Sequence, residues 1–148
     1  MISINVTGVD QVRATLYRIG KQLANKALTQ TAVQIETYVE QEAAKHNKKG
    51  ALVRSIYKTR LADGSWEIGH DPRVAPHALF VHWGTKKHDI RPKNKKTLRW
   101  ASGGAFHFAK VVHHPGNKPD KWLERAATTA PQMFAAHVAQ QVAQFNQG

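Results

Sequence analysis

The sequence predicts an α+β fold in which a long N-terminal helical region and a C-terminal helix flank one antiparallel β-sheet. Apolar residues recur every three to four positions near both ends of the chain, which is typical of helices that bury one face. The middle of the chain instead has short apolar segments separated by turn residues such as Asp63-Gly64 and Gly103-Gly104. The length of 148 residues fits a single domain spanning residues 1–148.

The N-terminal third predicts a strand followed by helix. Ile2, Ile4 and Val6 alternate with polar residues, which favours a half-buried strand ending at Gly8. Residues 9–47 then form either two consecutive helices or one long helix kinked around residues 20–25, because the apolar stripe changes register there. The two stripes are Val9, Val12, Leu16, Ile19 and Leu23, and Leu28, Ala32, Ile35, Val39 and Ala43. Three acidic residues of this region are expected on its solvated face: Glu36, Glu40 and Glu42.

The central region predicts two pairs of strands. Leu52–Leu61 and Ser65–His70 are expected to pair across the turn at Asp63-Gly64. Lys96–Ala101 and Phe106–Val112 are expected to pair across the turn at residues 102–104, with Phe106 and Phe108 pointing inward. Between these pairs, Ala75–Trp83 is an apolar segment too short to distinguish a helix from a strand.

The C-terminal region predicts a turn and a helix. His113–Pro119 is rich in turn residues. Asp120 is expected to cap a final helix whose apolar stripe runs from Trp122 to Val142, with a kink at Pro131. We expect Trp122, and Trp83 at the end of the preceding apolar segment, to be buried.

Two segments carry the whole excess of positive charge, which is +12 for the chain. Residues 45–60 and residues 84–100 each have a net charge of +6. Such patches attract nucleic acid, anionic surfaces or an acidic protein partner, although each alone is equally consistent with a solvated surface loop. Five cations of residues 45–60 are named the second basic segment, because they rank behind the other stretch as candidates for binding. They are Lys48, Lys49, Arg54, Lys58 and Arg60. We call the other the basic loop, a candidate docking loop: Lys86, Lys87, Arg91, Lys93, Lys95, Lys96 and Arg99. Pro92 favours an extended rather than helical conformation for the basic loop.

The sequence predicts no catalytic, cofactor-binding or metal-binding residues. His77 and His82 are five positions apart, whereas two ligands on one helix face need a spacing of four. The chain has no cysteine, and Gly103-Gly104 lacks the lysine and spacing of a phosphate-binding loop. No apolar run approaches the length of a membrane span. A helix-turn-helix, zinc-finger or RNA-binding signature is not evident either.

Four ordered motifs resemble a known family. They are, in order, the long N-terminal helical region, KKGALVRSI at residues 48–56, ALFVHWGTKKHDIRPKNKKTLRW at 78–100, and HHPGNKPDKWLERA at 113–126. Together they resemble the phage tail-component family that includes the lambda-type minor tail protein Z, often called tail completion proteins. By this resemblance, a set of motif residues is expected to have a structural role: Gly50, Leu52, Ser55, Trp83, Gly84, Thr85, Pro92, His114, Pro115, Gly116 and Trp122. This chain departs from the family pattern at His82, where an acidic residue is usual, and at Trp83, where phenylalanine is usual.

The resemblance implies a non-enzymatic virion component without a cofactor or a small-molecule substrate. Such a protein completes the head-proximal end of the tail and supports head–tail joining, after assembly in the cytoplasm of a bacterial host. Its partners would be other tail or connector proteins, with a homo-oligomeric ring and non-specific DNA contact as further expectations. The alternative interpretation is a basic nucleic-acid-binding protein of a mobile element.

Overall fold

A computed structural model describes residues 9–46 and 50–147. Within these residues the chain forms four helices and six strands. The strand expected at Ile2–Val6 lies outside the described residues. The elements are α1 Val9–Ala44, α2 Ala51–Arg54, β1 Ile56–Arg60, β2 Trp66–His70, α3 Ala78–Trp83, β3 His88–Ile90, β4 Leu98–Ser102, β5 Ala105–Ala109, β6 Val112–His114 and α4 Trp122–Asn146.

The expected α+β class is confirmed, with α1 and α4 packed antiparallel as its largest feature. Near the start of α4, Arg125 pairs with Glu42 at the end of α1. Further along α4, His137 Nδ1 lies 3.0 Å from Thr31 Oγ1 on the preceding part of α1. The two helices therefore run in opposite directions along most of α4.

Of the two alternatives left by the sequence, the structure has the single long helix, α1, rather than two consecutive helices. Its second stripe packs as expected, since Ala32, Val39 and Ala43 are buried. Its first stripe does not, because Val12 and Leu16 are exposed. The 25 residues of α4 pair with the later part of the 36-residue α1, so the first turns of α1 extend beyond the end of α4.

The strands form three two-stranded antiparallel sheets, β1–β2, β3–β6 and β4–β5, rather than the single expected sheet. Both expected hairpins are present, with Lys58 opposite Ile68 and Trp100 opposite His107. The pairing of β3 with β6 was not predicted, because each has only three residues. Along the chain, α3 lies between β2 and β3, and the segment containing Pro92 lies between β3 and β4.

The beginning of the first expected strand is instead the short helix α2. Gly50 precedes it with φ 79°, a left-handed conformation that suits glycine. Ser55 ends it, because its hydroxyl donates a 2.6 Å hydrogen bond to the carbonyl of Leu52. Such a local hydrogen bond competes with the backbone pairing of a strand. In α2, Leu52 is fully buried in the core.

The core lies where α1, α2, α3 and α4 meet, and Trp122 is its largest fully buried side chain. The expected burial of Trp122 is therefore confirmed, whereas the expectation for Trp83 was wrong. The apolar segment before Gly84 forms the helix α3, and this geometry turns His82 inward and leaves Trp83 63% exposed. His82 touches both tryptophans edge to face, with ring centres 4.9 Å from Trp83 and 6.3 Å from Trp122.

A charged cluster joins the end of α1 to the start of α4. Glu42 is buried, not solvated as expected, because it pairs with Lys45 and Arg125. Arg125 also pairs with Asp120, which in turn contacts His46. Asp120 therefore does not cap α4 as expected: Lys121 occupies the N-cap position, without a side-chain capping bond. α4 itself runs as one helix through Pro131.

Candidate docking surface

The family-like motifs meet around Gly84, where α3 ends and the basic loop begins. Gly84 has φ 71°, and a Cβ atom there would lie 2.6 Å from the carbonyl oxygen of Asn117. The next residue, Thr85, exchanges backbone hydrogen bonds of 3.0 and 3.1 Å with Asn117. Gly116, with φ 86°, lies so close to the Thr85 carbonyl that a Cβ atom would overlap it. These two glycines allow two backbone segments to approach closely, which no larger residue permits.

A second backbone contact connects this junction to the core. The Asp120 amide donates a 3.0 Å hydrogen bond to the carbonyl of Val81 in α3. Two residues further on, Trp122 is buried against His82 and against His70 of β2. The residues 81–85 and 116–122 therefore form one unit, which we call the motif junction.

Three polar nitrogen atoms beneath the motif junction have no hydrogen-bond partner among the described residues: His70 Nδ1, His82 Nδ1 and Trp122 Nε1. Burial, above all other causes, lowers the pKa of both His70 and His82. The nearby Lys121 lowers the pKa of His82 further. Burial therefore favours the neutral form of both rings beside the indole of Trp122.

The charged cluster next to the motif junction holds its carboxylates ionised. Hydrogen bonds from Lys45 and then Arg125 lower the pKa of Glu42. Arg125 is also the main cause of the lowered pKa of Asp120, with a smaller effect of His46. The same pairs raise the pKa of Arg125, with Asp120 as the largest cause.

The strands β3 and β6 continue from the motif junction, and β3 lies within the basic loop, between Lys87 and Arg91. His88 and His114 are opposite one another, with their rings stacked at 5.0 Å. Beside them, His113 Nδ1 lies 2.6 Å from Asp89 Oδ1, and this hydrogen bond is the main cause of the lowered pKa of Asp89. A groove of about 740 Å³ runs along this ribbon, with Phe80 and Ile90 among its lining residues.

All seven cationic side chains of the basic loop are exposed. Arg91 Nη2 lies 3.4 Å from Asp89, the single acidic residue of the loop. Among the described residues, Lys93, Lys95 and Lys96 form no ion pair. Pro92 connects β3 to the lysines before β4. The structure thus presents these lysines at the base of the β4–β5 hairpin.

The β4–β5 hairpin itself projects aromatic side chains, contrary to the expectation that Phe106 and Phe108 point inward. Phe106 and Phe108 are 62% and 63% exposed, and Trp100 is 41% exposed. The guanidinium carbon of Arg99 lies 4.5 Å from the centre of the Phe106 ring. The two strands pack substantially only against each other. The alternation of residues predicts that both phenylalanines lie on one face of a strand. It does not show whether another part of the protein packs against that face.

The second basic segment is less available than the basic loop. Lys48 and Lys49 lie outside the described residues. Lys58 pairs with Glu36 of α1, and its ammonium lies 5.9 Å from the centre of the Trp66 ring. Arg60 lies 5.8 Å from the same ring. Arg54, at the end of α2, is exposed. Two of its cations are thus engaged on the β1–β2 sheet.

The described residues contain no group of three or more histidine, cysteine, aspartate or glutamate side chains that could hold a metal ion. None of the helices within the described ranges is long and apolar enough to cross a membrane. No protein-family model matches the chain, and neither curated proteins nor solved structures gave a match.

Proposed function

We propose that this chain is a non-enzymatic phage or prophage minor tail protein that completes the head-proximal end of the tail and supports head–tail joining. The observation that carries the proposal is the motif junction. Motif residues far apart in sequence, Gly84, Thr85, Gly116 and Trp122, are in contact or close together there, and an exposed cationic loop leaves from it. Binding residues often lie on loops that a rigid scaffold holds in place. The motif junction would be this scaffold, and the basic loop would bind the partner.

The charge of the basic loop supports a role in joining two assemblies. Complementary charge steers two bodies into contact and fixes their orientation more than it adds affinity. Acidic surfaces of tail-tube or connector subunits are the partners that such a loop fits. The protein would then reside in the virion tail, after assembly in the host cytoplasm.

Charge reversal in the basic loop tests this function. In a host whose copy of the gene is disrupted, wild-type protein should restore joining, whereas the triple variant Lys93→Glu, Lys95→Glu, Lys96→Glu should give filled heads and separate tails. Exposed substitutions rarely change stability by more than about 0.5 kcal/mol, so the variant should melt close to the parent. A matched control reverses three exposed cations of α1, Arg13→Glu, Arg18→Glu and Lys21→Glu, and should still join heads to tails.

The nucleic-acid-binding alternative makes a different prediction for the same proteins. It requires the wild type to bind DNA near physiological salt, with a log–log salt slope of roughly −0.9 for each phosphate neutralised. Such binding, combined with normal joining by the charge-reversed triple variant, would contradict the proposed function. Electron microscopy of the purified protein, alone and with tail tubes, tests the proposed homo-oligomeric ring.

A further inference from the structure

Along its length, the β4–β5 hairpin has three layers that differ in the character of their side chains: a tip, a middle and a base. Its tip, residues 101–105, is Ala-Ser-Gly-Gly-Ala and bears no charge. The middle layer holds the aromatic side chains of Trp100, Phe106 and Phe108, together with one cation, Arg99, whose guanidinium lies over the Phe106 ring. The base is cationic, since Lys93, Lys95 and Lys96 precede β4 and Lys110 follows β5. Residues 91–110 contain six basic residues and no acidic one.

Both faces of the hairpin expose aromatic side chains. Residues opposite one another in an antiparallel pair lie on the same face, so Arg99 shares a face with Phe108, and Ala101 with Phe106. Trp100 lies on the other face, stacked on His107 with ring centres 5.6 Å apart. A two-stranded hairpin is marginally stable by itself. This one makes few contacts with the rest of the described residues. A partner that encloses it would bury apolar surface on both sides.

We infer that the hairpin inserts into an apolar cleft with an acidic rim on another protein. The uncharged tip can enter such a cleft without desolvating a charge, and the aromatic layer then fills it. The lysines at the base would meet carboxylates at the rim, as in interfaces with an apolar centre and a polar edge. The outer edges of β4 and β5, unpaired within the described residues, can accept a partner strand.

Nucleic acid and a second copy of the chain fit this layering less well. Nucleic-acid surfaces offer open aromatic faces on which bases stack, whereas two of the three rings of this hairpin are already covered on one face. One face of Phe106 is covered by Arg99, and one face of Trp100 by His107. A second copy carries the same charge of +12, so its surface opposes the approach of a cationic hairpin base.

This inference rests on the proposed function, because it names the chemistry of the partner that the basic loop approaches. The probes are DNA-filled heads and tail tubes, purified separately from particles that lack this protein. Binding of the soluble protein to each immobilised probe gives association and dissociation rates. The variants are Phe106→Thr with Phe108→Thr, which keeps strand propensity, and Lys93→Gln with Lys95→Gln and Lys96→Gln. Phe145→Gln removes an exposed aromatic ring at the far end of α4 and serves as the control.

The aromatic double variant should dissociate about 30-fold faster from one of the two probes, the effect of losing a hot-spot contact, with little change in association. The lysine triple variant should associate about tenfold more slowly at low salt, and high salt should remove that difference. Phe145→Gln should behave as the wild type. Circular dichroism should show that each variant is folded.

Two further measurements test whether nucleic acid or a second copy of the chain binds the hairpin instead. If a 30-nucleotide single strand binds at physiological salt and the aromatic variant abolishes this binding, the hairpin is a nucleic-acid site and the inference is overturned. If sedimentation shows an oligomer that the aromatic variant dissociates, the occupant is a second copy, which also overturns it. Wild-type kinetics for the aromatic variant, with wild-type protein still binding heads or tubes, would refute the inference alone. Failure of the wild type to bind either probe would instead remove the proposed function.

Discussion

Trp83 and Trp122 both border apolar segments, yet their environments differ completely. Trp122 is fully buried between α1, α3 and β2, whereas Trp83 lies at the surface with the Lys121 ammonium 3.3 Å from its ring centre. The sequence shows the apolar character of both but not the direction in which a six-residue helix turns each side chain. The direction of α3 is set by its tertiary contacts, among them the burial of Ala78 in the core and the hydrogen bond from Asp120 to Val81.

Replacing each tryptophan separately tests this assignment. Trp122→Ala should lower the free energy of unfolding by about 3–5 kcal/mol, because it leaves a large cavity in the core. Trp83→Ala should cost about 1 kcal/mol or less, since it removes an exposed ring and one cation–π contact. Urea denaturation measures both values. Equal losses in the two variants would show that the burial assignment is wrong.

Two glycines provide a second contrast at the scale of single residues. Gly116→Ala should destabilise the protein by at least about 2 kcal/mol, because φ is 86° and the new Cβ would overlap the Thr85 carbonyl. Gly20 lies inside α1, and apart from its chain neighbours and the backbone of the helix itself, no atom lies within 4 Å of the position of a Cβ. Gly20→Ala should therefore stabilise the protein by about 0.5–1 kcal/mol. Thermal melting of both variants checks the opposite signs, and a stable Gly116→Ala would refute the close approach at the motif junction.

Elements with strong local signals could be predicted from the sequence, and those fixed by tertiary contacts could not. The β4–β5 turn was predicted because Gly103 and Gly104, with φ 58° and 79°, provide the two left-handed residues of a tight hairpin. The pairing of His88–Ile90 with Val112–His114 has no comparable signal, since a three-residue strand cannot show alternation. The exposed faces of the hairpin were missed because alternation indicates two faces without indicating what covers them.

Removing the hairpin should separate binding from folding at the scale of one element. In the variant that replaces residues 98–109 with two glycines, the free energy of unfolding should change by no more than about 1 kcal/mol, because the hairpin packs mainly against itself. Head–tail joining should be lost in the same variant. Denaturation and complementation check the two outcomes. Loss of the folded state on this deletion would mean that the hairpin supports the core.

The charges of the whole molecule determine how its stability depends on pH, and two sets of groups act in the same direction. His70 and His82 have pKa values lowered by burial from 6.5, so the unfolded chain binds protons before the folded one does. Stability should therefore fall as the pH decreases through about 6.5 and stop falling below the folded pKa values. Asp71 opposes the lowering at His70, and Glu124 and Asp120 oppose it at His82, but burial outweighs these carboxylates. Lys121 and His70 act in the same direction as burial on His82.

The carboxylates of the charged cluster add a second loss at lower pH. Glu42 and Asp120 have pKa values lowered from 4.5 and 3.8, so their contribution is present above these unfolded values and disappears as the pH falls through the folded ones. The free energy of unfolding should be highest at neutral to slightly alkaline pH and should decline in two steps on acidification. Urea denaturation from pH 8 to pH 2 at constant ionic strength measures both steps. The double variant His70→Gln, His82→Gln should lose the upper step and keep the lower one, and a wild-type profile that is flat between pH 8 and pH 5.5 would show that these histidines are not held neutral beside Trp122.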